Sequence, residues 1–318
     1  MGQNSPLVST VIVNYNSGTY LRACLSSLRA QSMKDNEIIV IDNASADESP
    51  SILTEFRETI TIGNPSNVGF AAAQNQGLRR ARGQYLLPLN FDIQLEPNFV
   101  EQMISALESS ARAGAVCGKL MKMTPDGKHT KHIYSTGHLL PPNRFPLHRG
   151  AGEEDYGQYQ QLKEVFGSPG AAALYRREML DDVAFRGQYF DESFFTWYED
   201  VDLDWRARWR GWHCVYTPFA VAHHVGQREG VHRSASYVAT TIRNRWLMIS
   251  ANECTQCVRR NWRVLLAYEI SLLGYTVRSR LFSAYVAALR SYRELLLLAR
   301  MKRKHIQARA VRSCALDD

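Results

Sequence analysis

The chain opens on an apolar run, Leu7-Val8-Ser9-Thr10-Val11-Ile12-Val13, that ends at the polar cluster Asn14-Tyr15-Asn16-Ser17-Gly18. Leu21, Cys24, Leu25 and Leu28 then recur at helical spacing on one face. A second run, Glu37-Ile38-Ile39-Val40-Ile41, ends at Asp42-Asn43-Ala44-Ser45. Strand, helix and strand at this spacing predict a βαβ unit with a parallel sheet. A helix over Ser49 to Phe56, a short strand over Thr59 to Ile62 and a helix over Ala71 to Arg82 continue the pattern. Gln84 to Leu89 is a further strand, stopped by Asn90-Phe91-Asp92. Ligands of open α/β sheets sit at the carboxyl ends of strands, so these three polar strand ends are predicted to face one crevice.

From about Phe99 the pattern changes. A helix over Phe99 to Ala111 and a Gly-containing strand over Ala115 to Leu120 lead into Thr124 to Gly157, rich in Pro, Gly and His, which reads as a mobile loop over a site. Gly167 to Gly226 is densest in reactive side chains, and from Ser234 onward everything reads helical, with no proline after Pro218. Residues 7–226 are thus expected to form an α/β domain, split into halves at 7–92 and 93–226, followed by a helical tail over 232–318.

At 318 residues, 45% hydrophobic and 22% charged, the chain has the material for a core and is not a disordered sequence. A net charge of +7 first suggests a nucleic-acid binder. Its placement argues otherwise. From Arg259 onward there are 13 Lys and Arg against 4 Asp and Glu, whereas the remainder carries 25 basic against 27 acidic residues. A near-neutral body with a cationic tail points to a tail that meets an anionic surface, not to a basic groove across the fold. Cys24, Cys117, Cys214, Cys254, Cys257 and Cys314 are scattered through a chain too long to need disulfide staples, and Cys254-x-x-Cys257 reads as reduced thiols on a helix. Met1 to Pro6 lacks the apolar core of a signal peptide. The longest apolar candidate, Val264 to Val277, has 14 residues and includes Glu269, short of the roughly 20 a membrane span needs. The expected compartment is the cytoplasm, peripheral at the inner face of the membrane.

The segments VSTVIVNYNS, EIIVIDNASAD, NVGFAAAQNQG, LNFD and YFDESFFTWYEDVDLDWRARWRGW, followed by AHHVG, occur in this order. Together they resemble the inverting glycosyltransferases of family 2, with the GT-A fold (a Rossmann-like mixed sheet flanked by helices), and within them the rhamnosyltransferase-like branch. The resemblance runs from about Val8 to Gly226. It implies that 7–92 binds a nucleotide, that 93–226 carries acceptor and catalytic groups, and that the donor is a dTDP- or UDP-sugar. A leaving diphosphate gains charge, so a divalent cation, Mn²⁺ or Mg²⁺, is expected to neutralise it. The family holds that ion with a D-x-D motif at a strand end. Here Asp92 matches the last carboxylate, and Asn90 departs from the pattern, since an amide hydrogen-bonds but adds no charge. His224, six residues after Pro218, matches a second ligand, with neighbouring His223 pointing to the opposite side of an extended segment.

Within the acidic pair Glu199-Asp200, Asp200 matches the general base that strips the acceptor hydroxyl of its proton. Asp202 and Asp204 read as helix-start carboxylates or partners of Arg206 and Arg208. The resemblance puts Asn14 and Tyr15 around the base, Asp42 on the pyrimidine N3 proton, and Asn67 and Asn90 near the nucleotide. Gly170 and Ala171, in a small-residue stretch, are expected with Trp197 and Glu199 to line the donor and acceptor pocket. Arg243-Asn244-Arg245 resembles an element that follows the catalytic domain in the branch. Beyond it, apolar and Arg residues alternate as in basic amphipathic helices of the bilayer interface; packing on the chain's own domain or on a second subunit in a homodimer is the alternative. No stacking-platform motif for nucleic acid is present. The expected activity is metal-dependent inverting transfer, of rhamnose from dTDP-rhamnose, to a cell-envelope polysaccharide or lipid-linked glycan. A non-catalytic membrane-associated assembly protein with a degenerate transferase domain is the other reading, and the missing G-x-G-x-x-G after the first strand argues against an oxidoreductase.

Overall fold

The structure is a computed structural model that describes residues 5–226 and 234–311; Cys314 and the two ends of the 232–318 tail lie outside the described residues. The first half alternates β1 (Val8–Asn14), α1 (Thr19–Arg29), β2 (Asn36–Asp42), α2 (Ser49–Glu55), β3 (Ile60–Gly63), α3 (Phe70–Arg80) and β4 (Tyr85–Asn90). Strand β1 pairs in parallel with both β2 and β4, which sets Asn14 opposite Asp42 and Val13 opposite Asn90. The three polar strand ends therefore share one edge. Side chains alternate across β1: Val8 and Ile12 pack with Leu21, Leu25 and Ile52 on one face, whereas Val11 and Val13 pack with Ala73 and Leu78 on the other.

The second half turns this parallel sheet into a mixed one. It adds β5 (Ile93–Leu95), α4 (Phe99–Glu108), β6 (Ala113–Met123), β7 (His129–Ser135), β8 (His138–Leu139), β9 (Leu147–His148), β10 (Lys163–Val165) and β11 (Ala173–Arg176). Helices α5 (Arg177–Val183) and α6 (Glu199–Trp209) and strand β12 (His213–His224) complete it. The sheet order is β10-β12-β6-β11-β4-β1-β2-β3, with β11 antiparallel to both of its neighbours. The segment read as a mobile loop, Thr124 to Gly157, instead contains β7, which pairs with β6, and the β8–β9 pair. Its short strands carry no long apolar alternation, and their register comes from neighbours distant in sequence.

Three helices follow: α7 (Ala235–Asn252), α8 (Thr255–Arg278) and α9 (Phe282–Ala308). Helix α6 is enclosed between the sheet and α7 and α9, so that Asp202, Asp204, Arg206 and Arg208 are buried along with Val201, Leu203 and Trp205. No amphipathic stripe marks such a helix, because it has no solvent face. Its charges are paired instead. Asp202 accepts from Arg206 Nε at 3.0 Å, from Lys302 Nζ at 2.9 Å and from Asn252 Nδ2 at 2.7 Å. Lys302, on α9, also donates to Asp191 and lies 5.0 Å from the Phe194 ring centroid.

Candidate active site

The ends of β1 and β2 form one hydrogen-bonded unit. Asn14 is fully buried, and its Nδ2 donates to Asp42 Oδ1 at 2.7 Å and to Ser45 Oγ at 3.0 Å. Asn16, at φ 49°, is a left-handed residue of the kind that Asn tolerates, and its Oδ1 accepts from Ala46 N at 2.8 Å. Tyr15 stands 44% exposed at this edge, so its ring face is available to a ligand. Asn67 sits further along, with Oδ1 accepting from Asn43 Nδ2 at 2.8 Å and from Gly69 N at 2.9 Å. Its carboxamide thus ties one loop to another. Asn43, which the motif reading passed over, is the hub, because its Oδ1 also accepts from Val68 N and Asn64 Nδ2.

A cavity of about 210 Å³ opens beside the end of β4. Asn90, Gly170, Ala171, Trp197, Glu199, Asp200 and His224 all line it. Asp92 stands one hydrogen bond behind the wall: its Oδ1 is 3.1 Å from His224 Nε2, and its Oδ2 accepts from Gly226 N at 3.1 Å. Asp200 Oδ2 accepts from Gly170 N at 2.8 Å. A Cβ on Gly170 would come within 3.1 Å of the Asp200 Cβ, so glycine is what admits this close approach. Glu199 is buried with Oε2 lacking a partner among the described residues, and burial, reinforced by Asp200, pushes its carboxyl well above the usual range. The two adjacent acids are therefore unlike: Glu199 is the more deeply buried, with its charged form disfavoured, and Asp200 is reachable from the cavity.

The segment that reads as a loop supplies the opposite wall with Tyr134, His138 and His148. His138 Nδ1 lies 3.0 Å from Asp204 Oδ2, and its Nε2 lies 3.7 Å from Asp200 Oδ2. Burial disfavours a charged His138, but Asp200 and Asp204 outweigh it and raise its pKa. His148 is pushed down to about 3, by burial first and by His138 second. Asp204 is thus the imidazole's partner and not Arg208's; Arg208 reaches Glu164 at 3.4 Å. Ahead of Asp200, Phe195, Trp197 and Tyr198 all adopt positive φ, at 63°, 73° and 71°. Such a backbone costs roughly 1–3 kcal/mol per residue and persists only if something holds it. Asn244 of α7, fully buried, does so: its Nδ2 donates to Phe194 O, Thr196 O and Trp197 O at 3.0, 2.8 and 2.8 Å.

The residues present fit a divalent cation. Two ligand atoms about 2.1 Å from one ion and at right angles are roughly 3 Å apart, close to the 3.1 Å between Asp92 Oδ1 and His224 Nε2. The buried Nδ1 of His224 has no hydrogen-bond partner among the described residues. His223 points away, its Nε2 3.0 Å from Glu96 Oε1.

The model of the family described as Glycosyl transferase family 2 matches residues 9–184, more than half of the chain. The chain belongs to this family. Among relatives of this family 2 member, the N-acetylglucosaminyl-diphospho-decaprenol L-rhamnosyltransferase of Mycobacterium tuberculosis is 25% identical over 269 residues, 74% of this chain and 83% of its own length. Other curated relatives match over a part only, and the chain spans 30% to 48% of their length through 31% to 46% of its own. The fold is GT-A. GalNAc-T7, solved with UDP, GalNAc and Mn²⁺, superimposes with a TM-score of 0.63 at 17% identity, covering 79% of this chain and 48% of its own. The mannosyltransferase PcManGT of Pyrobaculum calidifontis, solved with GDP-Man and Mn²⁺, gives a TM-score of 0.56 at 16% identity and covers 96% of this chain and 86% of its own.

Proposed function

We propose that this family 2 member moves a sugar from a nucleoside diphosphate donor to an acceptor hydroxyl with inversion at the anomeric carbon. The observation that carries this reading is the cavity in which Asp200 and His224 meet, at the edge where β1, β2 and β4 end. At about 210 Å³ it is smaller than the roughly 300–1,000 Å³ of a drug-sized ligand pocket. It suits one sugar residue, with the nucleoside outside it, against Asn14, Tyr15 and Asp42. Asn90 and the backbone at Gly170 and Ala171 contact the donor sugar, and Trp197 borders the acceptor side.

Asp200 takes the proton from the acceptor hydroxyl. The freed oxygen lone pair forms the bond to the anomeric carbon as the bond from that carbon to the phosphate oxygen breaks, and the electron pair leaves with the diphosphate. Attack and departure on opposite faces invert the centre. Burial disfavours a charge on Glu199, which limits a competing carboxylate beside the base. Asp92 and His224 would hold the cation, which would supply positive charge to neutralise the leaving diphosphate. Transfer is expected to require added Mn²⁺ or Mg²⁺ and to stop in EDTA; turnover indifferent to EDTA removes the metal reading. A panel of nucleotide sugars with Mn²⁺, scored by melting temperature, identifies the donor, because a ligand of the folded state stabilises it. The name of the mycobacterial relative favours rhamnose as the sugar and a lipid diphosphate glycan as the acceptor, so a dTDP-rhamnose arm comes first. Product of retained configuration counts against direct displacement.

Helix α8 supports a membrane-facing placement for such an acceptor. Val258, Trp262, Leu266, Ile270, Leu273 and Val277 are all exposed, at spacings of three and four residues that put them on one helix face. Arg259 and Arg263 flank this stripe. Among the described residues, no helix is long and apolar enough to cross a membrane. An apolar face bordered by arginines binds an anionic bilayer surface by burying the first and attracting headgroups with the second. Replacing Trp262, Leu266 and Ile270 together by Ser is expected to release the protein from anionic liposomes while leaving its melting temperature unchanged. Undiminished cosedimentation would refute the placement. Truncation after Arg259 is the wrong test, since it also removes Lys302 from the core.

A further inference from the structure

We propose a second cation site, formed by Glu96, His129 and His223 on the far side of the β5–β12 pair from the cavity, selective for a first-row divalent ion such as Zn²⁺. The proposal does not depend on the sugar-transfer reading. One candidate ligand atom from each of the three side chains lies within 4.8 Å of the others. His223 and His129 come from different strands, β12 and β7, and their rings stack with centroids 3.5 Å apart and planes 7° apart. Because an imidazole nitrogen binds an ion in its ring plane, the exposed His129 ring turns out of this stack to share an ion with His223. His223 Nε2 faces Glu96 Oε1 at 3.0 Å, and His129 Nε2 is 3.4 Å from Gln94 Oε1. Register enforces the meeting: in the antiparallel β5–β12 pair His223 is opposite Gln94 and His224 opposite Ile93. Successive residues of a strand point to opposite faces. His224 accordingly turns to the cavity and His223 to this cluster.

Two imidazoles and one carboxylate are a donor set that Zn²⁺ takes in tetrahedral sites, with a fourth position left for water or the Gln94 amide oxygen; Mg²⁺ prefers oxygen alone. The His223 side chain is 12% exposed and its partner Glu96 43%, so the cluster is rooted in the sheet yet open to an incoming ion. A bound ion would pin β5 to β12 and β7 next to Asp92 and His224. Its effect on the protein is therefore to stiffen β12, which carries His224, and β5, which follows Asp92 directly.

The test uses full-length protein stripped of metal, in an Asp92→Asn background that disables the cavity-side ligand pair. Calorimetric titration with Zn²⁺ is expected to give one site, and Co²⁺ to give visible absorption of a nitrogen- and oxygen-ligated ion. Adding His129→Ala, an exposed position whose loss leaves the metal-free melting temperature unchanged, should weaken Zn²⁺ by more than the roughly 10- to 100-fold that loss of an outer-shell partner costs. The rise in melting temperature with Zn²⁺ should vanish with it. Absence of Zn²⁺ binding in folded Asp92→Asn protein overturns the proposal. So does affinity unchanged by His129→Ala, which would place the ion elsewhere, as at the buried Glu253, Cys254 and Cys257.

Discussion

Asp200→Asn should abolish transfer while leaving the fold and nucleotide binding intact. The amide keeps an oxygen to accept from Gly170 N, now at 2.8 Å from Asp200 Oδ2, and adds no bulk against the glycine, at the cost of the bond that Oδ1 accepts from Val201 N at 2.8 Å in the first turn of α6. It cannot take a proton from a hydroxyl. General-base catalysis contributes typically 10²–10⁴-fold, so kcat should fall by about that factor. Binding of a nucleoside diphosphate, which is assigned to Asn14, Tyr15 and Asp42 at the other strand ends, should change by less than about twofold. A variant that retains turnover within a few-fold of the parent takes the base role away from Asp200. The same assay separates Asp200 from its neighbours: Asp92→Asn should raise the concentration of Mn²⁺ or Mg²⁺ needed for half-maximal rate, a phenotype that loss of a base does not produce.

Lys302→Ala should cause the largest loss of stability. The ammonium is 1% exposed and donates to Asp191 and Asp202, themselves buried at 7% and 0%. Removing one partner of a buried pair typically costs about 3–5 kcal/mol, here because Asp191 is left buried without its counter-ion, whereas Asp202 keeps Arg206 and Asn252. For a chain of this size that is a fall in melting temperature on the order of 10 °C. The pH dependence has a definite sign. Burial raises the Asp191 pKa and Lys302 more than reverses this, to about 2 against an ordinary 3.8. The stabilisation from ionised Asp191 is thus complete above about pH 3.8 and is lost as pH falls towards 2. Without Lys302 burial again opposes the charge, so the variant's deficit should be greatest near neutrality and shrink on acidification. Melting curves at pH 7 and pH 4 read this directly. A deficit of under 2 °C at neutral pH would mean that α9 does not hold α6.

Both expectations meet at α6, the element least legible along the chain. The runs around Val8 to Val13 and Ile38 to Ile41 announce buried strands because every residue is apolar, and their polar ends announce a crevice because nothing else stops such strands so abruptly. Local pattern suffices there. In helix α6 the carboxylates Asp202 and Asp204 read as helix-start groups or partners of Arg206 and Arg208, whereas the helix is enclosed and Asp204 faces His138. Whether a carboxylate is solvated or buried depends on α7 and α9, whose own pattern shows only that they are helices. His138 and His148 lie in a Pro-, Gly- and His-rich stretch with no periodicity, so nothing local connects them with Asp200.

By itself the amino-acid sequence determined the βαβ start and the order of the polar motifs that end its strands, because those follow from side-chain periodicity and short-range spacing, and the resemblance of those motifs pointed to the family. Only the tertiary structure decided which acids are shut in, that Asn244 grips the positive-φ turn before Asp200, and that the two faces of β12 send His223 and His224 to different clusters. Those outcomes depend on burial and on partners tens of residues away, and electrostatic free energy is set by surroundings in space, not by neighbours in the chain.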